Sequence, residues 1–345
     1  MSRGPWLVSA RFDLGLLIGP ALLAALIALI LPDGVEVGPL GFLALVVGVD
    51  VAHVWATLWR TLFDRGERRR LAPWLIVLPF GCAVVAMMLH GVSPALFWTA
   101  MAYLAVFHFI RQQLGFGMLY RARAGLGVQG AVVERWLYYG LTGTPILWWH
   151  THLPRPFAWF MPGDFLPGVP EVVPQLAGVV TLGLGLLHLK NRLAEGASWG
   201  RDLWLLTTAA VWWGGIVFAR GDLAFTLPNV IHHGVPYLAL VAWTVAGRWA
   251  VSGEGPGRPW MFTAAGAWAF VLPLLLLAFG EEWLWDRLVN LDYPGLFPGP
   301  DLTAFAGFWA TPLLSVPQLT HYLLDGILWR TGGEHNPGLR QWILR

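Results

Sequence analysis

The stretch LGFLALVVGVDVAHVWATLWRTL, residues 40–62, is apolar, long enough to span a membrane, and carries Asp50 and His53 near its centre. A transmembrane α-helix needs about 20 mostly apolar residues, so this stretch predicts one. An ionisable side chain at membrane depth is energetically expensive and indicates a functional site. This one segment therefore predicts both a membrane helix and a buried site.

The composition of the whole chain agrees with this interpretation. Of the 345 residues, 57% are hydrophobic and 12% are charged, whereas about 25% of the residues of a soluble protein are charged. We therefore expect an integral, multi-pass membrane protein of the bacterial inner membrane, with a single helical domain over residues 1–345. The net charge of +2 is better explained by membrane topology than by nucleic-acid binding, and no nucleic-acid partner is expected.

Ten segments are candidate spans, which predicts an all-α, polytopic helical bundle of about ten transmembrane helices. They are roughly 13–31, 40–62, 73–90, 95–119, 131–149, 173–189, 203–219, 225–247, 260–279 and 303–329. With the N-terminus inside, most arginines fall at inner ends, and the outer loops are acidic. This is the positive-inside pattern, and it predicts that both termini are cytoplasmic.

Three further spans carry buried polar groups of the same kind. The groups are His108 with Arg111 and Gln112, Asn229 with His232 and His233, and His321 with Asp325. Four of these histidines lie 9 to 15 residues before an arginine that marks the predicted inner end of the span: His53 before Arg65, His108 before Arg121, His233 before Arg248 and His321 before Arg330. That separation is about 14–22 Å along a helix, so we expect the four groups to form one layer.

The spacing inside each group places its side chains on one helical face. Asp50 and His53 are three residues apart, whereas His321 and Asp325 are four apart, and both spacings bring side chains together. A carboxylate at that spacing can bind the same metal as the histidine or hold the imidazole in one tautomer. The single cysteine, Cys82, excludes a thiolate-based metal site.

The predicted metal ligands are therefore histidines and aspartates. They are Asp50, His53, His108, His232, His233, His321 and Asp325. Arg111 and Gln112 are predicted to act in catalysis, Arg111 by offsetting carboxylate charge or by binding an anionic head group. A lone histidine in a membrane helix often serves packing instead. His232 and His233 cannot both face one point on a regular helix.

The pattern resembles the histidine-rich integral-membrane enzymes that use non-haem iron. The His232–His233 doublet is similar to part of a fatty-acid desaturase or hydroxylase histidine box, although the complete H-x-x-x-H and H-x-x-H-H boxes are absent. Gly48, Asp50 and His53, with single histidines on other helices, resemble the bacteriorhodopsin-related β-carotene dioxygenases.

This resemblance implies a ferrous ion or a pair of irons. The ligands would be His53, His108, His232 or His233, and His321, with Asp50 and Asp325 as ligands or anchors. Zinc or manganese would suit the same donors. The implied reaction activates O₂ against a hydrophobic small molecule, a lipid or an isoprenoid, that enters from the lipid bilayer. A separate redox partner would supply electrons where the reaction needs them.

Other functions remain open at this point. Buried acids and histidines also serve proton- or ion-coupled transporters. A bis-histidine haem protein needs facing histidines, and Asp50 and Asp325 count against it. The polar groups could also be packing contacts in a structural subunit of a larger complex.

Overall fold

The computed structural model describes residues 4–128, 130–153, 163–253 and 255–330, together with Leu339 and Ile343. Within these ranges all regular secondary structure is helical, which confirms the predicted all-α class. The helices are α1 (Ala10–Ile30), α2 (Pro39–Arg60), α3 (Arg65–Val92), α4 (Pro94–Ala124), α5 (Ala131–Thr151), α6 (Val172–Glu195), α7 (Trp199–Trp212, continued as a π-helix over Trp213–Phe218), α8 (Asp222–Ser252), α9 (Gly257–Met261), α10 (Ala264–Asn290), α11 (Thr303–Ala306), α12 (Ala310–Leu314) and α13 (Val316–Leu328).

Seven helices in the described part of the chain are long and apolar enough to cross a membrane: α1, α2, α3, α4, α6, α8 and α10. This is compatible with a multi-pass membrane protein. Helices α5 and α7 occupy the predicted fifth and seventh spans but are not among the seven. Both begin with charged residues, Glu134 and Arg135 in α5 and Arg201 and Asp202 in α7.

The segment predicted as the last span, residues 303–329, is a series of shorter helices. Helix α11 ends at Ala306. The next residue, Gly307, has a φ of +50°, in the left-handed region, and begins a 3₁₀ turn over Gly307–Trp309. Helices α12 and α13 contain Pro312 and Pro317. Proline has no backbone N–H and a restricted φ, so it interrupts regular helical hydrogen bonding.

Helix α10 is longer than the sequence predicts. The predicted ninth span is 260–279, whereas α10 begins at Ala264 and continues to Asn290. Glu281, predicted to lie in an outer loop, is therefore helical, and its Oε2 accepts a hydrogen bond of 2.7 Å from the indole Nε1 of Trp55. This bond ties α10 to α2.

Side-chain caps fix where two of the long helices begin. The carboxylate of Asp64 precedes α3 and accepts a hydrogen bond of 2.8 Å from the backbone N–H of Glu67. The hydroxyl of Thr263 precedes α10 and accepts one of 3.2 Å from the N–H of Gly266. Each cap satisfies an N–H that has no partner within the helix itself.

The described chain divides into two compact units. The first unit comprises the residues up to Val37 and Ala102–Pro236, and the second comprises Gly38–Met101 and Tyr237–Ile343. Helices α4 and α8 each contribute residues to both units. The single domain over residues 1–345 stays a prediction.

Each unit has its own apolar core. In the first, Trp149, Trp212 and Phe225 are buried together with small residues such as Ala21. In the second, a cluster of small and branched side chains is buried. It includes Val47, Ala52, Ala56, Tyr237, Val241, Leu274 and Ala278. Small residues allow membrane helices to approach closely and gain van der Waals contact.

Several arginines that the sequence assigns to topology also form buried ion pairs. In the first unit Arg121 lies 2.9 Å from Glu134 and 2.7 Å from Glu195. Arg201, fully buried, lies 3.0 Å from Glu195. Removing one partner of a buried pair leaves an uncompensated charge and is strongly destabilising. These pairs therefore hold the ends of α4, α5, α6 and α7 together.

The contact between α4 and α5 gives a direct test of the first unit. A Cβ added at Gly117 would overlap the ring of Tyr138, whereas a Cβ added at Gly115 would meet nothing within 4 Å. Overpacking costs about 1–3 kcal/mol, while alanine gains up to about 1 kcal/mol over glycine in a helix. Gly117→Ala should therefore unfold at lower temperature than Gly115→Ala in detergent. Equal unfolding temperatures would contradict the α4–α5 packing.

Candidate functional site

Helix α2 presents polar side chains to the interior of the second unit. Asp50 and His53 are buried, and Nδ1 of His53 lies 3.8 Å from Oδ1 of Asp50. Asp50 belongs to a π-helical segment, Phe42–Val51, that ends just before His53. π-Helical turns inside α-helices are frequent at functional sites.

Helix α13 contributes a second histidine–carboxylate pair. Nε2 of His321 lies 3.9 Å from Oδ2 of Asp325, which is too long for a direct hydrogen bond. Only 1% of the His321 surface is exposed. The imidazole rings of His53 and His321 lie 5.0 Å apart, edge to face. Helices α2 and α13 thus bring together two of the predicted pairs.

Two hydroxyl groups connect these side chains. Oγ1 of Thr57 lies 2.8 Å from Nδ1 of His321 and 3.3 Å from the hydroxyl of Tyr237. The Tyr237 hydroxyl donates a hydrogen bond of 2.7 Å to Oδ1 of Asp325. The same oxygen accepts a bond of 3.2 Å from the indole of Trp329.

With Asp325 ionised, the direction of this chain favours one tautomer of His321. An ionised Asp325 can only accept, so Tyr237 donates to it and accepts from Thr57. Thr57 then uses its proton on Tyr237 and accepts from Nδ1–H of His321. With the proton on Nδ1, a neutral His321 has its lone pair on Nε2, on the side that faces Asp325. That nitrogen is the one suited to bind a cation.

For Arg60, at the C-terminal end of α2, the sequence predicts pairing with Asp64 or binding of a phosphate. In the structure Asp64 lies 2.7 Å from Arg248, which also lies 3.1 Å from Glu67. The guanidinium of Arg60 is buried and lies 5.0 Å from the centre of the Trp329 ring. Such a cation–π contact stabilises a buried arginine.

The first unit contains the other pair of histidines. His108 on α4 and His233 on α8 are buried, with ring centres 5.1 Å apart. One ring nitrogen of each lies within 4.8 Å of the other. The ring of Phe109 stacks on His233 at 3.7 Å, which fixes the plane of that imidazole.

His232 has different surroundings from its neighbour His233. Its ring lies 4.8 Å from that of Trp204, and neither of its nitrogens forms a hydrogen bond with the described residues. Adjacent residues of an α-helix point about 100° apart, which explains why the doublet diverges. His232 is therefore not brought to His108 as His233 is.

The other polar residues of these two helices bind elsewhere. Arg111, predicted to be catalytic, is exposed and donates a hydrogen bond of 2.8 Å to the hydroxyl of Tyr139. Gln112 donates one of 2.6 Å to the backbone carbonyl of His233. Asn229 donates to the carbonyl of Phe225. Gln112 thus positions α8 beside α4.

Sequence reasoning missed Thr57 and Tyr237. The sequence signal that could have identified them is their spacing from the histidines. Thr57 follows His53 by four residues and Tyr237 follows His233 by four, so each shares a helical face with a histidine. A search for hydroxyls on the histidine face of each helix would find both. The approach of Tyr237 to Asp325 joins residues 88 apart in sequence and leaves no local signal.

Comparisons with family models, with curated proteins and with solved structures give no match. The candidate ligands are therefore identified by the geometry within each unit.

The hydroxyl of Tyr237 bridges Thr57 and Asp325. This bridge predicts that two matched tyrosine substitutions differ in their effect on stability. Tyr237→Phe removes the bonds to Thr57 and Asp325 and should destabilise the protein by about 1–3 kcal/mol. Tyr138→Phe deletes an equally buried hydroxyl that bonds to none of the described residues, and should be close to neutral. Thermal unfolding in detergent measures the stability of both variants. A similar loss of stability in the two would contradict the bridge formed by Tyr237.

Proposed function

We propose that the chain is a membrane-embedded, metal-dependent oxidoreductase that uses non-haem iron on a lipid or isoprenoid substrate. One observation carries the proposal: buried His53 and His321 lie side by side, each with an aspartate less than 4 Å away. Imidazole with carboxylate suits iron, manganese and zinc. Burying such groups in a membrane protein without a function would be expensive.

The spacing within each histidine–aspartate pair is close to that of two ligands of one ion. Ligands bound at about 2.0–2.2 Å from the same metal lie roughly 3–3.5 Å from each other. The separations of 3.8 Å between His53 and Asp50 and 3.9 Å between His321 and Asp325 are slightly longer. A small contraction within either pair would bring its imidazole and carboxylate to the spacing of two ligands of one ion. Bound iron with an open position would supply activation of O₂.

The chain's own residues prepare this site. Thr57 holds Nδ1 of His321 and directs its Nε2 towards Asp325. Tyr237 and Trp329 anchor Asp325 through one oxygen and leave the other for a ligand role. Such outer contacts orient metal ligands and raise their basicity. His108 and His233 are a second candidate pair of metal ligands, in the first unit.

The proposal includes the topology that the arginine distribution favours. The chain would cross the bacterial inner membrane about ten times, with α5, α7 and the helices of residues 303–328 completing the set and both termini in the cytoplasm. The positive-inside pattern of the loops supports this arrangement. A hydrophobic substrate would then reach the site from the bilayer, and a redox partner would dock from an aqueous face.

The hydrogen-bonded chain from His321 through Thr57 and Tyr237 to Asp325 favours one alternative. Linked acids, hydroxyls and histidines relay protons in pumps and transporters. A proton- or ion-coupled transporter would need no metal. Proton flux in liposomes, measured on metal-free protein, distinguishes it from the enzyme.

The metal proposal predicts the behaviour of single histidine variants. His53→Ala and His321→Ala should each lose most of the bound metal, because each removes an imidazole donor from the second unit. His108→Ala tests the first unit in the same way. Elemental analysis of the purified variants measures the loss.

A control variant accompanies these three. His335→Ala changes a histidine of the C-terminal segment, which lies outside the described residues, and should retain the metal. Circular dichroism on each sample checks that the helices are intact. Equal metal content in all four folded variants would rule out the proposed ligands.

The contact between Thr57 and His321 predicts that a change at Thr57 weakens metal binding less than the loss of a histidine does. Thr57→Val removes the group that fixes the His321 tautomer and should weaken metal binding about 10–100-fold. Thr244→Val is the matched control, since Thr244 is a fully buried threonine that bonds to the backbone carbonyl of Leu240. Metal titration measures the affinity of both variants. A metal affinity of Thr57→Val equal to that of the wild type would contradict the assigned tautomer.

A further inference from the structure

The first unit contains a large apolar groove that involves none of the histidines discussed above. Its volume is about 620 Å³, and residues of α5, α6 and α7 line it. The α6 face contributes Gly178, Leu182, Gly185 and Leu189. Leu182 and Leu189 are 66% and 50% exposed, so the groove opens to the surroundings of the protein. For an apolar helix of spanning length, those surroundings are lipid.

Two glycines keep the groove open. A Cβ added at Gly178 or at Gly185 would meet no atom within 4 Å. The two positions are seven residues apart and therefore share one face of α6. A bulky side chain at either position would occupy space that is empty without it.

A buried histidine lies in the groove wall. His188 is only 8% exposed and lines the groove, and it forms no hydrogen bond with any described residue. Its ring nitrogens are not among the fully enclosed polar atoms that lack a partner, so a ligand can reach them. An oxygen atom of a ligand in the groove would supply the missing bond.

A cation lies one turn further along α6. Arg192 also lines the groove, and its Nε donates a bond of 2.8 Å to Asp202. Among the described residues this is the one hydrogen bond of its side chain, although a guanidinium has five donors. The Arg192 side chain is 28% exposed. Its terminal nitrogens can therefore receive an anion, with the fork geometry that suits phosphate.

Along α6 the groove is long enough for a lipid chain that ends at this cation. Gly178 to Arg192 is 14 residues, about 21 Å along a helix. One leaflet of the hydrocarbon core is roughly 15 Å thick. A lipid tail can therefore lie along the glycines and leucines while its head group lies at Arg192.

We propose that this groove binds one anionic phospholipid, with an acyl chain along α6, its ester region at His188 and its phosphate at Arg192. The site recognises charge at one end and apolar length along the rest. It goes beyond the oxidoreductase proposal and does not depend on it, because none of the proposed metal ligands lines the groove.

Native mass spectrometry of the full chain in detergent tests the site. The probes are palmitoyl-oleoyl phosphatidylglycerol and the zwitterionic phosphatidylcholine with the same chains. The wild type should bind the anionic lipid more tightly, and Arg192→Gln should abolish this preference. Gly185→Leu should weaken binding of the anionic lipid about tenfold or more, since the new side chain fills the groove.

Gly183→Leu is the matched control on the same helix. Its Cβ also meets nothing within 4 Å, but Gly183 does not line the groove, so lipid affinity should stay at the wild-type value. Unfolding temperatures of the variants report whether each is folded. Equal affinity in Gly185→Leu and Gly183→Leu, or equal binding of the two lipids by the wild type, would overturn the proposal.

Discussion

A polar side chain inside a membrane must find its hydrogen-bond partner within the protein, because hydrocarbon offers none. The second unit meets this constraint with a chain of contacts. His321 is held by Thr57, and Tyr237 lies 3.3 Å from Thr57 and donates to Asp325. Each link joins different helices, so the chain fixes the relative positions of α2, α8 and α13. The same contacts direct a ring nitrogen and a carboxylate oxygen towards each other.

The charged ends of the helices follow the same constraint. The arginines from which the sequence predicts membrane orientation are also partners of buried carboxylates, Arg121 with Glu134 in the first unit and Arg248 with Asp64 in the second. An ion pair in a low-dielectric region is costly to break once it is formed. Orientation and packing therefore depend on the same side chains.

Much of the fold is predictable from the sequence because spanning helices must be long and apolar. The starts of α1, α2 and α4 lie within a few residues of the predicted ones, and local spacing identifies the pairs Asp50–His53 and His321–Asp325. The break at Gly307 and the different directions of His232 and His233 depend on backbone geometry and neighbouring helices. Contacts such as Tyr237 with Asp325 depend on tertiary packing, which no short stretch of sequence encodes.

The central claim is that the buried histidines and aspartates bind a non-haem metal. Elemental analysis of the purified wild-type protein, with an optical spectrum of the same sample, tests it most directly. The account predicts stoichiometric iron, or manganese or zinc in its place, and no Soret band. Protein that holds no stoichiometric metal even after incubation with ferrous, manganous and zinc ions, or that shows a Soret band, would contradict it.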